Sequence, residues 1–282
     1  MKHDLILKIN AQYNQFTKAE KKVADYVLKN PSTVLFMSIT DLAEACTVGD
    51  TSVFRFCKTM EMCGYQEFKM QLSLSLNSAG NDARSAAVEE KDDMTAMAKK
   101  IMQNNVNALT ETNALLQPEN FEKVMQALLS AENIYFFGVG ASMLTAMEGM
   151  NRFLRITPRV FAFADGHMQA MGASILTPRD TAVIISYSGS TKDTVHVAKL
   201  VQQTGAKIIC ITRFIKSPLT AYAYATLLCG SNEGPLQGGS TSAKISQLYL
   251  IDLLYMEYYR RKYTDSALNN ERTSSAVIEK LY

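Results

Sequence analysis

The stretch ISYSGSTKDT, residues 185–194, sets Ser186, Ser188, Ser190 and Thr191 around Gly189, directly after an apolar run. Three chemistries are open to it: an activated serine nucleophile, a cradle for an anion, or a plain turn. A nucleophilic serine needs a neighbouring base to activate it, and no histidine stands in this stretch. Tyr187 also occupies the place where the G-x-S-x-G elbow of a serine hydrolase needs its first glycine. The G-x-x-x-x-G-K-[ST] spacing of a nucleotide loop is absent. What remains is a set of hydroxyl donors, a glycine that lets backbone approach a ligand, and a helix start near Thr191. The N–H groups and positive dipole end of that helix face the loop. Donors without a cation suit a monophosphate ester that is held and not transferred. Turn chemistry alone explains each residue taken singly.

Other loops of the same half carry similar residues. GVGAS, 138–142, again joins a β-rich run to a helical pattern through glycines and a hydroxyl, Ser142. Met143 replaces the third glycine of G-x-G-x-x-G, which argues against a dinucleotide fingerprint. ADGH, 164–167, brings Asp165 and His167, and Glu233 precedes the glycine- and serine-rich GPLQGGSTS of 234–242. His167 and Glu233 are the pair able to move protons in an aldose–ketose isomerisation. His196 falls within a helical pattern and reads as packing or solvated. Two glycine loops bearing hydroxyls on one edge point to anion binding. The candidate ligand site comprises Ser142, Ser186, Ser188, Gly189, Ser190, Thr191 and Glu233.

A different chemistry is written near the start of the chain. In SITDLAEACTVGDTSVFRFCKTM, 38–60, Ser38 and Asp41 form a capping box ahead of a short helix. TVGD then turns the chain, with Gly49 free to take positive φ and Asp50 able to cap the next helix. Val53, Phe56, Cys57 and Met60 recur at i, i+3, i+4 and i+7 and should face inward. Thr51, Ser52, Arg55, Lys58 and Thr59 are then left facing outward. Short hydroxyls and cations on one helix face can reach the phosphates and base edges of a duplex. An ordinary helical hairpin with a solvated face shows the same pattern. Residues 1–77 hold nine Lys/Arg against eight Asp/Glu, so Arg55, Lys58 and Lys69 supply only a local basic patch. Binding through so few cations calls for two copies.

These residues need elements to position them. Residues 1–77 are helical in period, and a capping box of Thr17 and Glu20 opens a helix to Asn30, ended by Pro31. NSAGNDARSAAVEEKDD, 77–93, has no apolar period and reads as linker or frayed helix end, whereas 94–117 returns to helix spacing and stops before Pro118. Beyond it NIYFFG, RVFAF, TAVIIS, AKIICIT and ATLLCG alternate with helix-length segments. Runs this apolar belong to strands buried on both faces. The expected fold is therefore α/β: an all-α helix-turn-helix domain followed by a doubly wound, five-stranded parallel sheet. The expected domains are 1–77, a linker and linker helix at 78–117, the α/β domain at 118–265, and a C-terminal tail at 266–282.

Composition narrows the class. The 282 residues are 47% hydrophobic and 20% charged with a net charge of +2, as in a globular chain of two domains, and that charge decides nothing about nucleic acid. Cys46, Cys57, Cys63, Cys210 and Cys229 form no C-x-x-C pair and lack histidines at metal-ligand spacing. Reduced thiols are expected, with no metal and no other cofactor. MKHDLILKIN does not read as a signal peptide, and no run approaches the roughly 20 apolar residues of a membrane span. A cytoplasmic location is expected.

With both motifs in view, the chain resembles the RpiR/MurR family of bacterial transcriptional regulators, which join an N-terminal helix-turn-helix to a sugar-isomerase-type (SIS) domain. At the front the resemblance rests on FTKAEKKVADYVLKNP and SITDLAEACTVGDTSVFRFCKTMEMCGYQEFK. At the rear it rests on GVGAS, ISYSGSTKDT, GAKIICIT, SPL and QLYLIDLLY, and it covers nearly the whole chain. It implies that Ser142, Ser186, Ser188, Ser190 and Thr191 hold a phosphosugar. It also implies double-stranded operator DNA as a partner, and a homodimer or homotetramer built through the SIS domains. Gly49 stands where the family often has serine, and Lys244 where arginine is frequent. The expected function is a DNA-binding regulator whose operator affinity is set by a phosphosugar, with no catalytic residues. A phosphosugar isomerase on the same scaffold is the main alternative, and a helical partner-binding module under sugar-phosphate control is another.

Overall fold

The computed structural model of the chain describes residues 5–78, 91–230, 241–278 and 280. It divides into two units between Asn104 and Asn105. The first holds α1 (Leu5–Gln12), α2 (Lys18–Lys29), α3 (Pro31–Val34), α4 (Ile39–Ala45), α5 (Asp50–Thr59) and α6 (Tyr65–Ser78). Both expected capping boxes form, Thr17 with Glu20 at α2 and Ser38 with Asp41 at α4. Pro31 ends α2 and also opens α3, where its missing N–H costs nothing. Val53, Phe56, Cys57 and Met60 are all fully buried. Phe56 meets Phe16 and Phe68 edge-on at 5.3 and 5.5 Å, a geometry worth about 0.5–1.5 kcal/mol per pair beyond area burial.

The turn between α4 and α5 departs from the sequence expectation. Gly49 has φ −88 and serves as N-cap, while Asp50 lies inside α5 and its carboxylate accepts from the Thr40 hydroxyl at 2.8 Å. The left-handed residue is Thr47, at φ 54. It ends α4 in a Schellman motif, with Thr47 N–H on Glu44 and Val48 N–H on Ala43 at 2.9 Å each. Glu61, at φ 64, ends α5 the same way, its N–H on Lys58 and that of Met62 on Cys57. A hydrogen-bond pattern thus holds the left-handed turn without glycine.

Lys69 is a second correction. The residue counted toward a basic patch is 5% exposed, donates to the Met37 carbonyl at 3.2 Å, and stands over the Tyr65 ring. It ties α6 to the segment before α4 and presents no charge to a partner.

α7 (Met94–Ala114) runs through the division between the units. The second unit continues with α8 (Pro118–Ser130), β1 (Ile134–Gly138), α9 (Ala141–Leu154), β2 (Val160–Ala162), α10 (Gly166–Ser174) and β3 (Thr181–Ile185). After these come α11 (Lys192–Thr204), β4 (Lys207–Thr212), β5 (Ala225–Leu228), α12 (Thr241–Arg261) and α13 (Tyr263–Ile278). The five strands are all parallel in the order β2-β1-β3-β4-β5. Alternate side chains serve two cores, as the period of two requires. Val183, Ile185, Ile209 and Ile211 pack with α8, α9 and α12, whereas Ala182, Ile184, Ile208 and Cys210 pack with α10 and α11. The strands fall where the apolar runs predict, and the sheet is doubly wound.

The stretch expected as a tail from 266 is helical to Ile278. Ser266 is wholly buried, Asn269 donates to the Ile156 carbonyl at 3.0 Å, and Thr273 to that of Arg155 at 3.1 Å. Among the described residues no disulfide joins the five cysteines, and burial pushes Cys57 and Cys210 up to about 12 and Cys46 to about 11. Those three stay protonated and unreactive at neutral pH. Among the described residues no helix is long and apolar enough to cross a membrane, and no side-chain cluster suits a metal ion.

Burial lowers the Lys69 ammonium to about 8 from an ordinary 10.5. Between those values the unfolded chain binds the extra proton, so this group makes stability rise with pH across that window. Lys69→Met lacks that rise. Its stability relative to wild type should therefore fall as pH climbs from 8 to 10.5, by up to roughly 3 kcal/mol at 1.36 kcal/mol per unit of pKa. Urea denaturation of both proteins at pH 7.5 and pH 10 checks this. A pH-independent difference would contradict it.

Candidate functional site

β1 pairs with β2 on one side and β3 on the other, so the strand order reverses at β1. In open parallel sheets the crevice beyond the carboxyl ends at such a reversal is where ligands sit. Gly138, the last residue of β1, lies opposite Ile185, the last of β3. The two hydroxyl loops read from the sequence therefore leave adjacent strands side by side.

Each loop is shaped by a glycine that tolerates no side chain. A Cβ at Gly138 would stand 2.6 Å from the Ser142 carbonyl oxygen, so α9 begins directly over the end of β1. Gly189 has φ +60, and a Cβ there would lie 2.2 Å from the Ser217 hydroxyl. Its carbonyl accepts from Leu219 N–H at 2.9 Å. The Thr212 hydroxyl donates to the Tyr187 carbonyl at 3.1 Å. The loop after β3 is thus clamped by the end of β4 and the Ser-Pro-Leu segment following it.

The hydroxyls are not equivalent. Ser186 is 3% exposed, and among the described residues its Oγ has no hydrogen-bond partner. Ser188 Oγ accepts from Ser190 N–H at 3.2 Å, and Ser190 Oγ donates to the Ser188 carbonyl at 3.1 Å, so this pair also serves the turn itself. Thr191 is the N-cap of α11, yet its side chain makes no capping bond. An N-cap threonine ordinarily spends its oxygen on its own helix. Here that oxygen makes no such bond. Ser142 is buried in the first turn of α9, beside the Gly138 turn.

Gln169 is a neighbour that sequence reasoning missed. It is buried on α10, its Nε2 donates to the Gly138 carbonyl at 2.9 Å, and its Oε1 has no partner among the described residues. It sits in an apolar helical stretch with no motif around it, so only the packing of α10 against β1 reveals it. Ser217 was legible only as part of a family motif. Asp165 is taken up in capping α10, accepting from His167 and Met168 N–H, and His167 and His196 are exposed. Glu233 lies outside the described residues.

The helix face of α5 carries the second set. Thr51, Arg55, Lys58 and Thr59 are exposed and Ser52 half-buried, opposite the buried stripe. Lys58 stands 5.5 Å from the centre of the Phe54 ring. The Thr59 hydroxyl donates at 2.6 Å to Glu20, whose other oxygen holds the α2 capping box. Burial pushes the Glu20 carboxyl up, but hydrogen bonds from Thr59 and Thr17 and the Arg55 charge outweigh it and hold it below the ordinary range. Glu20 therefore locks α2 to α5 as an anion.

Comparison with known proteins adds an independent line. The model of the helix-turn-helix domain of the rpiR family matches residues 3–79, and that of the SIS domain matches residues 127–257. An uncharacterized HTH-type transcriptional regulator of Haemophilus influenzae is 34% identical over 98% of this chain and 97% of its own. The HTH-type transcriptional regulator HexR of Pseudomonas aeruginosa is 34% identical over 99% and 97%. Among solved structures, the Vibrio vulnificus NanR protein complexed with ManNAc-6P superposes with a TM-score of 0.86 at 28% identity, covering 99% of this chain and all of that one.

Gly189→Ala tests how tightly the β3 loop is made. A left-handed φ on a residue with a Cβ costs about 1–2 kcal/mol, and the collision with Ser217 adds to it. The variant should lose roughly 2 kcal/mol or more in chemical denaturation of the second unit. Gly189→Ala with Ser217→Gly should recover the collision but not the φ strain. No loss in the single variant would mean that the loop is not held as described.

Proposed function

The chain belongs to the RpiR family of helix-turn-helix transcriptional regulators that carry a SIS domain, and on that premise we propose that a phosphosugar at the β1–β3 edge sets its affinity for operator DNA. One observation carries the ligand half. At the strand reversal two glycine-opened loops present the first turn of α11, whose cap Thr191 does not cap itself, beside a buried Ser186 hydroxyl that has no partner among the described residues. Such a site offers donors and a positive helix end and lacks a paired base, which suits a phosphate monoester that stays intact. The likeness to NanR complexed with ManNAc-6P supports a phosphosugar as the class.

In this reading the phosphate accepts from the Ser188 and Thr191 hydroxyls and from α11 N–H groups, with Gly189 allowing close approach. Ser142, Ser186 and Ser190 line the same crevice, and Glu233 takes a sugar hydroxyl. No catalytic step is needed. Thr51, Ser52, Arg55 and Lys58 face the DNA, and Thr59 contributes by fixing α5 through Glu20. Two copies place two recognition helices in successive major grooves of a two-fold operator. Exposed Met168 and Met171 on α10, with Ile175 at its C-cap, support assembly through the SIS unit into a dimer or tetramer. α7, which passes from one unit to the other, transmits the ligand state.

Two variants separate the halves. Arg55→Ala should lose about 1–3 kcal/mol of operator affinity per half-site and relax the base preference there. Equal retention of operator by variant and wild type in a gel-shift titration would remove α5 as the reading helix. Ser188→Ala with Thr191→Val removes two charge-assisted hydrogen bonds, each worth about 1.5–3 kcal/mol, so phosphosugar affinity should drop about a hundredfold or more. Operator binding should persist in that protein and no longer change when phosphosugar is added. Calorimetry and gel shift with and without phosphosugar check both, and unchanged phosphosugar affinity would reduce the loop to a turn.

A further inference from the structure

The opposite edge of the sheet carries a second cavity that the hydroxyl crevice does not explain. It measures about 350 Å³ and lies beside the starts of β1 and β2, under the junction of α12 and α13. Arg159, just ahead of β2, Lys262 at the junction, and Arg272 on α13 all line it. Asp265 is the single carboxylate in its wall. Ile134 and Ile156 form an apolar floor.

Two observations single this cavity out. The first is the state of its charges. Other arginines of the neighbourhood are engaged: Arg260 and Arg261 with Glu257, Arg261 with Glu122, and Arg155 with Asn270 and Ser274. Among the described residues Arg159, Lys262 and Arg272 make no ion pair. Three cations against one carboxylate leave the wall of this concavity net positive, a field that favours an anion there. The second is Ser266. It lines the same cavity, it is wholly buried, and its Oγ has no hydrogen-bond partner among the described residues. A buried hydroxyl left unsatisfied costs about 1–3 kcal/mol, a cost that a partner entering the cavity would remove.

We propose that this cavity is a second anion site, which binds a small phosphorylated metabolite between Arg159, Lys262 and Arg272 with Ser266 as a buried donor. The cations fit a phosphate, since guanidinium groups bind its oxygens in pairs. The volume falls within the range of small-molecule pockets and leaves room for a carbon skeleton over the isoleucine floor. The site differs in chemistry from the crevice at the other edge, which relies on hydroxyls and helix N–H groups and has no cation among the residues assigned to it. The inference stands independently of the phosphosugar reading.

Titration of the full-length protein with inorganic pyrophosphate by isothermal calorimetry tests it in four proteins. Wild type should bind saturably, and the affinity should fall with added salt. Lys262→Gln with Arg272→Gln changes only exposed side chains, and it should weaken binding at least tenfold. Ser266→Ala should weaken it several-fold while leaving the free protein as stable as wild type or more so, because the lost hydroxyl had no partner. Ser188→Ala with Thr191→Val, in the other crevice, should leave this binding unchanged. Absence of saturable binding to wild type overturns the proposal. So does binding that survives Lys262→Gln with Arg272→Gln, or binding lost in the hydroxyl-loop variant instead.

Discussion

The pairing of β1 between β2 and β3 is the constraint from which the second unit takes its form. Parallel strands require crossovers, and crossovers are right-handed. Because β2 and β3 lie on opposite sides of β1, a single hand of crossover sends α9 to one face of the sheet and α10 with α11 to the other. The two cores result from that division, and so does the crevice between the β1 and β3 loops. Gly138 and Gly189 are then required by proximity. One lets α9 start over the strand end, and the other lets Ser217 and Leu219 close on the loop.

In the helical unit the comparable role falls to one carboxylate. Glu20 closes the α2 capping box with one oxygen and accepts the Thr59 hydroxyl with the other. A buried carboxylate is tolerated only when hydrogen-bonded and near a positive charge, and Thr17, Thr59 and Arg55 meet that condition. The exposed face of α5 is thereby oriented from behind. The Schellman stops at Thr47 and Glu61 set where α4 and α5 end, and Lys8 reinforces the second through the Met60 carbonyl and the Glu61 carboxylate.

Satisfaction of polar groups is nearly complete in the described interior, which gives weight to the exceptions. Ser186 Oγ, Gln169 Oε1 and Ser266 Oγ are the buried side-chain atoms left without partners among the described residues. The first two flank the carboxyl ends of β3 and β1. The third lies in the cation-lined cavity at the far edge. Interior groups that merely support a fold find partners during folding, as Thr145 does with Gln247 and Thr181 with the Ala127 carbonyl. Ser186, Gln169 and Ser266 depart from that rule.

Much of this was legible in the sequence because it depends on period and local chemistry. The apolar runs marked the five strands, and two capping boxes marked α2 and α4. The i, i+3, i+4, i+7 stripe of α5 predicted its buried side, and the strand–loop–helix pattern located the hydroxyl loops. What the sequence could not supply depends on which distant segments meet. Lys69 reads as a surface cation until α6 packs it against Met37, and Gln169 as an ordinary helical residue until α10 brings it to Gly138. Thr59 looks like a free hydroxyl until α2 presents Glu20. Thr47 takes the left-handed conformation open to Gly49, because the Schellman bonds fall two residues earlier than the glycine. Arg159, Lys262, Arg272 and Ser266 are scattered over more than a hundred positions, and no local signal links them. Periodicity and capping act within a few residues and survive in the sequence. Burial, pairing and convergence arise only when the chain closes on itself, so only the tertiary structure decided them.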